Sequence, residues 1–451
     1  MKLTYNVADK PSLGQTFVFA LQQLLAILAA TIAVPTIIGN GMSQSAALFG
    51  AGVGTIVYLL FTKFRSPVFL GSSFAFLGSM GAAFAGAVSA SAGYLGLIIG
   101  AVAAGLVYVV LALIVKFVGT GWIDKLMPAV VIGPTVAIIG LSLSGNAIGD
   151  LSSGGIAGVQ TSPYVAIVCG LVTLGVTIAC SVYGKKMLKM IPFIIGICAG
   201  YIVAAIFTGI GYAASVDALK VIDFGKFAHM QWVPDFTFIQ AFSGDYVYAD
   251  GGNFGTYLLT VIVAYVPVAF VVFAEHIADH KNLSSIIEKD LLKDPGLDKT
   301  LLGDGVGSIA GAFFGGCPNT TYGESVGCVA ISGNASVVTI LCTAVLAIVA
   351  SFVAPFVTLL ATIPNCVMGG VCIALYGFIA VSGLKMIQKV DLEDNRNLFV
   401  VSVILIAGVG GMTLNFGRVT ITEVACALIL GILVNLLCSI GKKKENKENK
   451  D

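Results

Sequence analysis

From residue 13 to residue 440 the chain is a succession of apolar stretches, most of them near the roughly 20 residues that an α-helix needs to cross a bilayer. In hydrocarbon every backbone N–H and C=O must find its partner within the protein, which leaves helices or a closed barrel as the spanning structures. Continuous apolar runs, rather than strict alternation with polar residues, select helices. The stretches lie near 13–38, 46–62, 68–86, 93–117, 128–146, 163–182 and 190–212, and then near 256–276, 301–316, 318–333, 336–360, 364–384, 397–413 and 420–440. The expected fold is an all-α polytopic membrane protein of 14 spans.

Charge placement supports that count. An even number of spans puts both termini on one side, and the connections then assigned to the inside hold Lys63 and Arg65, Lys116 and Lys125, Lys185, Lys186 and Lys189, Lys281 to Lys299, and Lys385, Lys389 and Arg396. The short outside connections hold almost no lysine or arginine, while the long loop at 213–255 mixes both signs. Residues 1–12 read as a cytoplasmic N-terminus with no cleavage site, and 441–451 as a solvated, disordered cytoplasmic tail.

Composition excludes whole classes of function. The chain is 57% hydrophobic and 10% charged with a net charge of +1, which offers nothing to attract a nucleic acid and makes the lipid bilayer its surroundings. Its ten cysteines sit almost all in apolar runs without a C-x-x-C pair or a Cys/His cluster, so neither a metal nor another cofactor is expected. No nucleophile–base pair or phosphate loop points to an enzyme.

Two polar clusters interrupt the apolar background. In Pro318-Asn319-Thr320-Thr321-Tyr322-Gly323-Glu324 a carboxylate sits where insertion costs roughly 2.5–3.5 kcal/mol at mid-bilayer, which makes it a functional candidate. The flanking proline and glycine predict a broken helix with free backbone amides. In Ala274-Glu275-His276-Ile277-Ala278-Asp279-His280, Glu275 and Asp279 share one helix face and the two histidines share its neighbour. Two carboxylates one turn apart in a poorly solvated place do not both ionise comfortably, the property a proton-coupling site needs. Alternatively the helix ends at about 277, leaving Asp279 and His280 as ordinary loop residues. Gln22 and Gln23 in the first span read as interhelical hydrogen-bond partners.

The two sets of seven stretches invite comparison. Gly71-Ser72-Ser73-Phe74-Ala75 resembles Asn319-Thr320-Thr321-Tyr322-Gly323, and Pro128-Ala129-Val130-Val131-Ile132-Gly133 resembles Pro364-Asn365-Cys366-Val367-Met368-Gly369, at offsets of 248 and 236 residues. Repeats with an odd number of spans are inverted in the membrane. The third and tenth spans would then meet from opposite sides as short extended segments, with Phe74 and Tyr322 at a common centre and a half-helix beyond each. Backbone donors, aromatic faces and a carboxylate suit a small planar heterocycle carrying N–H and C=O groups; an inorganic anion would be repelled by Glu324.

Several of these segments also carry a family resemblance. Ala30-Thr31 and Val34-Pro35, Gly71 to Phe76, Gly119-Thr120-Gly121-Trp122, Ala274-Glu275-His276, Lys289-Asp290-Leu291-Leu292 with Asp294-Pro295-Gly296-Leu297, Pro318 to Glu324, and Val367-Met368-Gly369-Gly370 resemble the nucleobase-ascorbate transporter family over nearly the whole chain. The Asn-Thr-Thr-Tyr-Gly-Glu run is similar to that of its uracil branch. The resemblance implies two inverted 7-span repeats, usually as a homodimer in the plasma membrane. A core domain takes 13–117 (spans 1–4) and 256–360 (spans 8–11), and a gate domain takes 128–212 (spans 5–7) and 364–440 (spans 12–14), with 213–255 outside. It further implies that the base sits between spans 3, 8 and 10. Glu275 and Glu324 would accept its N–H groups, the backbone at Phe74 and Gly323 would bond its carbonyls, and Ala30 and Tyr322 would line the pocket. Uracil would enter with protons coupled at Glu275. Asp279 stands where the family has a histidine, so that Asp279 or His280 would share the coupling, and Asn365-Cys366 departs from the usual Leu-Pro. Alternatives are xanthine or another base, sodium as the coupling ion, or an anion exchanger of the same architecture, which would need a basic or neutral centre.

Overall fold

The computed structural model describes residues 3–123, 127–156, 158–185, 187–416 and 419–448; Lys125 and Lys186 lie outside them. The first half contains α1 (Leu13–Ile38), α2 (Gln44–Phe61), strand β1 (Leu70–Ser72), α3 (Leu77–Ala85), α4 (Ala90–Val118), α5 (Ala129–Ser142), α6 (Ser144–Leu151), α7 (Pro163–Tyr183) and α8 (Pro192–Ala213). The second contains α9 (Phe254–Ile287), α10 (Leu297–Gly315), strand β2 (Asn319–Thr321), α11 (Gly323–Ser332), α12 (Val337–Ser351), α13 (Ala354–Ala361), α14 (Asn365–Ile387), α15 (Asn395–Val409) and α16 (Glu423–Glu448). Among the described residues, 8 helices are long and apolar enough to cross a membrane, α5 and α6 counting as one, and 9 if α12 and α13, bent by 83°, form one span.

One alternative and one expectation about helix ends give way. α9 does not stop near 277 but runs on to Ile287, because His276, Asp279 and His280 all find polar partners inside the protein and the helix need not open to solvate them. α16 runs through Glu448, taking in most of the segment read as a disordered tail. Its lysines and glutamates are good helix formers, and no proline stops the last turns.

The helices pack as two groups. α2 lies against α10 and α12, and α4 against α9 and α10; separately, α14 packs on α5, α6 and α7, with α8 on α7 and α16 on α15. Glycine permits the closest approaches. A Cβ on Gly307 would stand 2.7 Å from the carbonyl oxygen of Gly54, so α2 and α10 touch backbone to backbone there. Gly50 meets Gly311 further along, which makes that crossing antiparallel. The contact of α5 with α14 has the same sense, with Gly133 against Gly383 and Gly140 against Tyr376 and Ala380.

Against the first group β1 and β2 form a two-stranded antiparallel ladder that pairs Leu70 with Thr321, Gly71 with Thr320 and Ser72 with Asn319. Ser73 N–H donates to the Pro318 oxygen at 2.9 Å and Tyr322 N–H to the Phe69 oxygen at 3.3 Å, extending the pairing at both ends. Exchanging Gly71 with Asn319 and Ser72 with Thr320, the sequence correspondence noted above, carries this ladder onto itself. α2 closes the β1 edge, where the Leu70 N–H donates to Thr55 Oγ1 at 2.9 Å and Thr55 Oγ1 donates to the Leu70 oxygen at 3.1 Å, and the Asn319 side chain donates through Nδ2 to the Gly50 oxygen of the same helix at 3.1 Å. Extended backbone is thus tolerated at this depth because it is paired and walled in by helices.

Candidate functional site

A cleft of about 360 Å³ opens where the strand ladder ends against the second helical group. β2 stops at Thr321, and the chain turns through Tyr322, which is extended (φ −106°, ψ 119°), into α11. Tyr322 provides no side-chain cap, so the first N–H groups of α11, at Gly323 and Glu324, lie at the cleft without a partner from an earlier turn, that of Glu324 against its own carboxylate. A Cβ on Gly323 would meet nothing within 4 Å, which leaves that backbone open to a bound molecule. On the β1 side a 3-10 turn, Phe74–Phe76, leads into α3 and brings Phe74 and Ala75 to the cleft wall.

Carboxylates from two elements converge here. Glu275 and Asp279, one turn apart on α9, line the cleft together with Glu324 from the first turn of α11. Thr321 Oγ1 donates to Asp279 Oδ2 at 2.7 Å, tying α9 to the end of β2. The opposite wall, from the second group, supplies Val136, Ile139, Phe193, Phe378 and Ser382, with Ser181 and Lys189 alongside. Apolar walls and a few converging polar groups are what a small-molecule site requires.

Of the residues singled out from sequence, Phe74, Tyr322, Gly323, Glu275, Glu324 and Asp279 lie together around this space. Ala30 is buried outside the lining, where Ala26, one helical turn earlier, takes the wall position. His280 faces away from the cleft. Its Nε2 meets the Tyr58 hydroxyl at 2.7 Å and its Nδ1 the His276 oxygen at 2.8 Å, within the first helical group. His276 faces the same way, pairing through Nδ1 with Asp304 Oδ2 at 2.7 Å and through Nε2 with Thr300 Oγ1 at 3.0 Å. The i, i+4 spacing did separate the carboxylates from the histidines, but only the carboxylate face meets the cleft.

Two further residues are not among those singled out from sequence. Asp304 lies in a glycine-rich apolar span, and the rule that marked Glu324 would have marked it. Tyr376, from α14, sets its ring edge-on to Phe74 with centroids 5.6 Å apart; nothing in its local sequence sets it apart from other buried aromatics.

A polytopic helical bundle whose cleft is built on two broken helices, with extended backbone at their junction, is the architecture of a secondary transporter. The comparisons agree on the class and narrow it. Residues 14–416 match a permease family. The uracil permease of Bacillus caldolyticus is 39% identical over 97% of this chain and 95% of its own length. That of Bacillus subtilis (strain 168) is 38% identical over 98% and 97%, and that of Escherichia coli (strain K12) 35% over 96% and 93%. Among solved structures, the transmembrane domain of the cyanobacterium bicarbonate transporter BicA has the same fold, with a TM-score of 0.62 at 17% identity over 96% of this chain and 99% of that one. SLC26A9 is alike at a TM-score of 0.62 and 11% identity, over 95% of this chain and 65% of that one. The chain belongs to the nucleobase-ascorbate transporter family, whose members named here are permeases and not enzymes.

Proposed function

We propose that this protein is a secondary active transporter that imports uracil with protons across the plasma membrane by alternating access. The observation that carries this reading is the cleft itself, in which the N-terminal end of a half-helix, a hydroxyl-rich strand end, the rings of Phe74 and Tyr322 and the carboxylates of Glu275 and Glu324 surround one small space. Uracil is planar, donates two N–H bonds and accepts at two carbonyls. Glu275 and Glu324 accept from the N–H groups, the backbone at Phe74 and Gly323 donates to the carbonyls, and Tyr322 lies against the ring. Asp279, gripped by Thr321, shares the proton-coupling role with Glu275. The histidine stand-in at His280 has no support, since its ring is committed to Tyr58.

The rest of the architecture belongs to the same proposal. Antiparallel contacts of α2 with α10, β1 with β2 and α5 with α14 support two inverted repeats of seven spans, 14 in all, with both termini cytoplasmic. The two helical groups serve as core and gate, and the cleft on their seam supports movement of one against the other. The protein acts as a homodimer. Three carboxylates in the cleft weigh against an anionic substrate.

The test is uptake of radiolabelled uracil into proteoliposomes, with an inward proton gradient, an inward sodium gradient or neither, for the intact protein and for Glu324→Gln. Uptake driven by protons and lost in the variant supports the proposal. Folded protein that takes up no uracil under any gradient overturns it, and uptake driven only by sodium overturns the proton coupling.

A further inference from the structure

The N-terminal segment, assigned no role by the transport reading, is bonded to the loop that follows the half-helix carrying Glu324. Tyr5 forms a parallel bridge with Asn334 and the chain then turns over Asn6–Asp9, with Leu3, Tyr5 and Val7 partly buried. The N–H groups of Thr4 and Tyr5 both donate to the Gly333 oxygen, at 2.8 and 3.2 Å. In return the N–H of Ala335 donates to the Tyr5 oxygen at 2.9 Å and that of Val337 to the Val7 oxygen at 3.1 Å. Ser336 Oγ closes the set on the Asp9 oxygen at 2.6 Å.

The place is informative. α11 has only 10 residues, too few to be stable as a helix alone, so its position is set by whatever holds its ends. Its N-terminal end is continuous with β2, and there Gln23 of α1 donates through Nε2 to the Ser325 oxygen at 3.4 Å and to Ser325 Oγ. Its C-terminal end stops at Gly333, which is left-handed (φ 67°), and it is at Gly333 to Val337 that the N-terminal segment is attached. From Asp9 the chain leads directly into α1. One continuous piece of chain, residues 3 to 23, therefore grips α11 at both ends. A Cβ on Gly333 would stand 3.1 Å from Thr4 Oγ1, so the segment and the cap are closely fitted.

We propose that residues 3–9, a bridge at Tyr5 followed by a turn over Asn6–Asp9, form an intramolecular clasp that fixes the half-helix Gly323–Ser332 and so positions Glu324 and the N–H groups at its start. The segment's hydrogen bonds run to Gly333–Val337, beyond the cleft lining, and it acts through α11. The positioning claim rests on Glu324 being a substrate group; the clasp itself does not.

The test removes residues 2–9, and separately makes Thr4→Pro, which deletes one of the two donors to Gly333. Hydrogen exchange is read along the whole chain, and uracil uptake kinetics are measured in proteoliposomes. Expected for both variants is exchange faster by at least about tenfold across 323–336, with α14 unchanged. The half-saturation concentration should rise about tenfold while the maximal rate stays within about twofold. A synthetic peptide of residues 1–11 should restore both in the deletion variant, which a misfolded protein would not allow. Unchanged exchange at 323–336 in both variants overturns the clasp. Faster exchange there with unaltered half-saturation overturns its positioning role. Absence of uracil uptake in the intact protein would instead overturn the transport reading, while the exchange result would still decide the clasp.

Discussion

Gly71 lies against the ring of Tyr322: a Cβ built on Gly71 would overlap that ring, and the Tyr322 hydroxyl reaches past it to donate to the Ser72 oxygen at 2.8 Å. The aromatic of one broken helix is thus seated on the bare backbone of the other. Gly71→Ala should force the ring away and cost about 1–3 kcal/mol of stability, as overpacking does, with loss of uracil binding. Thermal unfolding in detergent and a binding titration would check both effects. Unaltered binding would show that the ring has another place to go.

Tyr322→Phe keeps the ring and removes only the hydroxyl. The Ser72 oxygen loses a buried donor, and the cost should be about 1–3 kcal/mol. Because the ring stays in the cleft, the half-saturation concentration for uptake should change less than in Gly71→Ala, a ranking that side-by-side uptake curves would check.

Replacing Glu324 by glutamine preserves its size and removes an ionisable acceptor. Hydrogen bonds to charged groups contribute about 1.5–3 kcal/mol, so uracil affinity should fall roughly tenfold to hundredfold. Binding measured by calorimetry separates this from a failure of movement. Full affinity with no uptake would place Glu324 in coupling rather than recognition.

His276→Ala leaves the Asp304 carboxylate buried without the ring that meets it at 2.7 Å. Leaving one partner of a buried hydrogen bond unsatisfied costs about 1–3 kcal/mol, and the variant should unfold at lower temperature. His276→Ala with Asp304→Asn should recover part of the loss. A double variant no better than the single would show that the pair does not act as a unit.

Exposed Asp294 follows a different rule. Its hydrogen bonds to Lys289 and Arg65, at 2.9 and 3.0 Å, hold the carboxyl below its ordinary range. A depressed folded value means that the contribution is present above the unfolded value, about 3.9, and is lost as pH falls through the folded one. The stability difference between the protein and Asp294→Asn should therefore be constant near neutral pH and vanish in acid. A difference that grows on acidification would reverse the sign.

Much of the molecule was legible in the chain because the bilayer permits so few solutions. Run length located the long apolar helices, α1, α2, α4, α7, α8, α9 and α14 among them, and Pro318 with Gly323 located the break before α11. The correspondence of Gly71–Ala75 with Asn319–Gly323 anticipated that two distant segments meet, and they pair across the ladder. The i, i+4 rule put Glu275 with Asp279 and apart from the histidines, since the helical period is a local property.

What the chain alone left open was which side of each helix faces what. Asp279 reads equally as a loop residue until Thr321, 42 positions away, is seen to hold it, and His280 reads as a proton carrier until Tyr58 is found to claim its ring. Ala26 rather than Ala30 at the cleft wall, Tyr376 against Phe74, and the N-terminal segment on Gly333 are likewise contacts between residues remote in sequence. Sequence determined the helices and their breaks because backbone satisfaction in lipid is a local demand. Only the tertiary structure decided the partners, because a side chain's direction has no meaning until the neighbouring helix is in place.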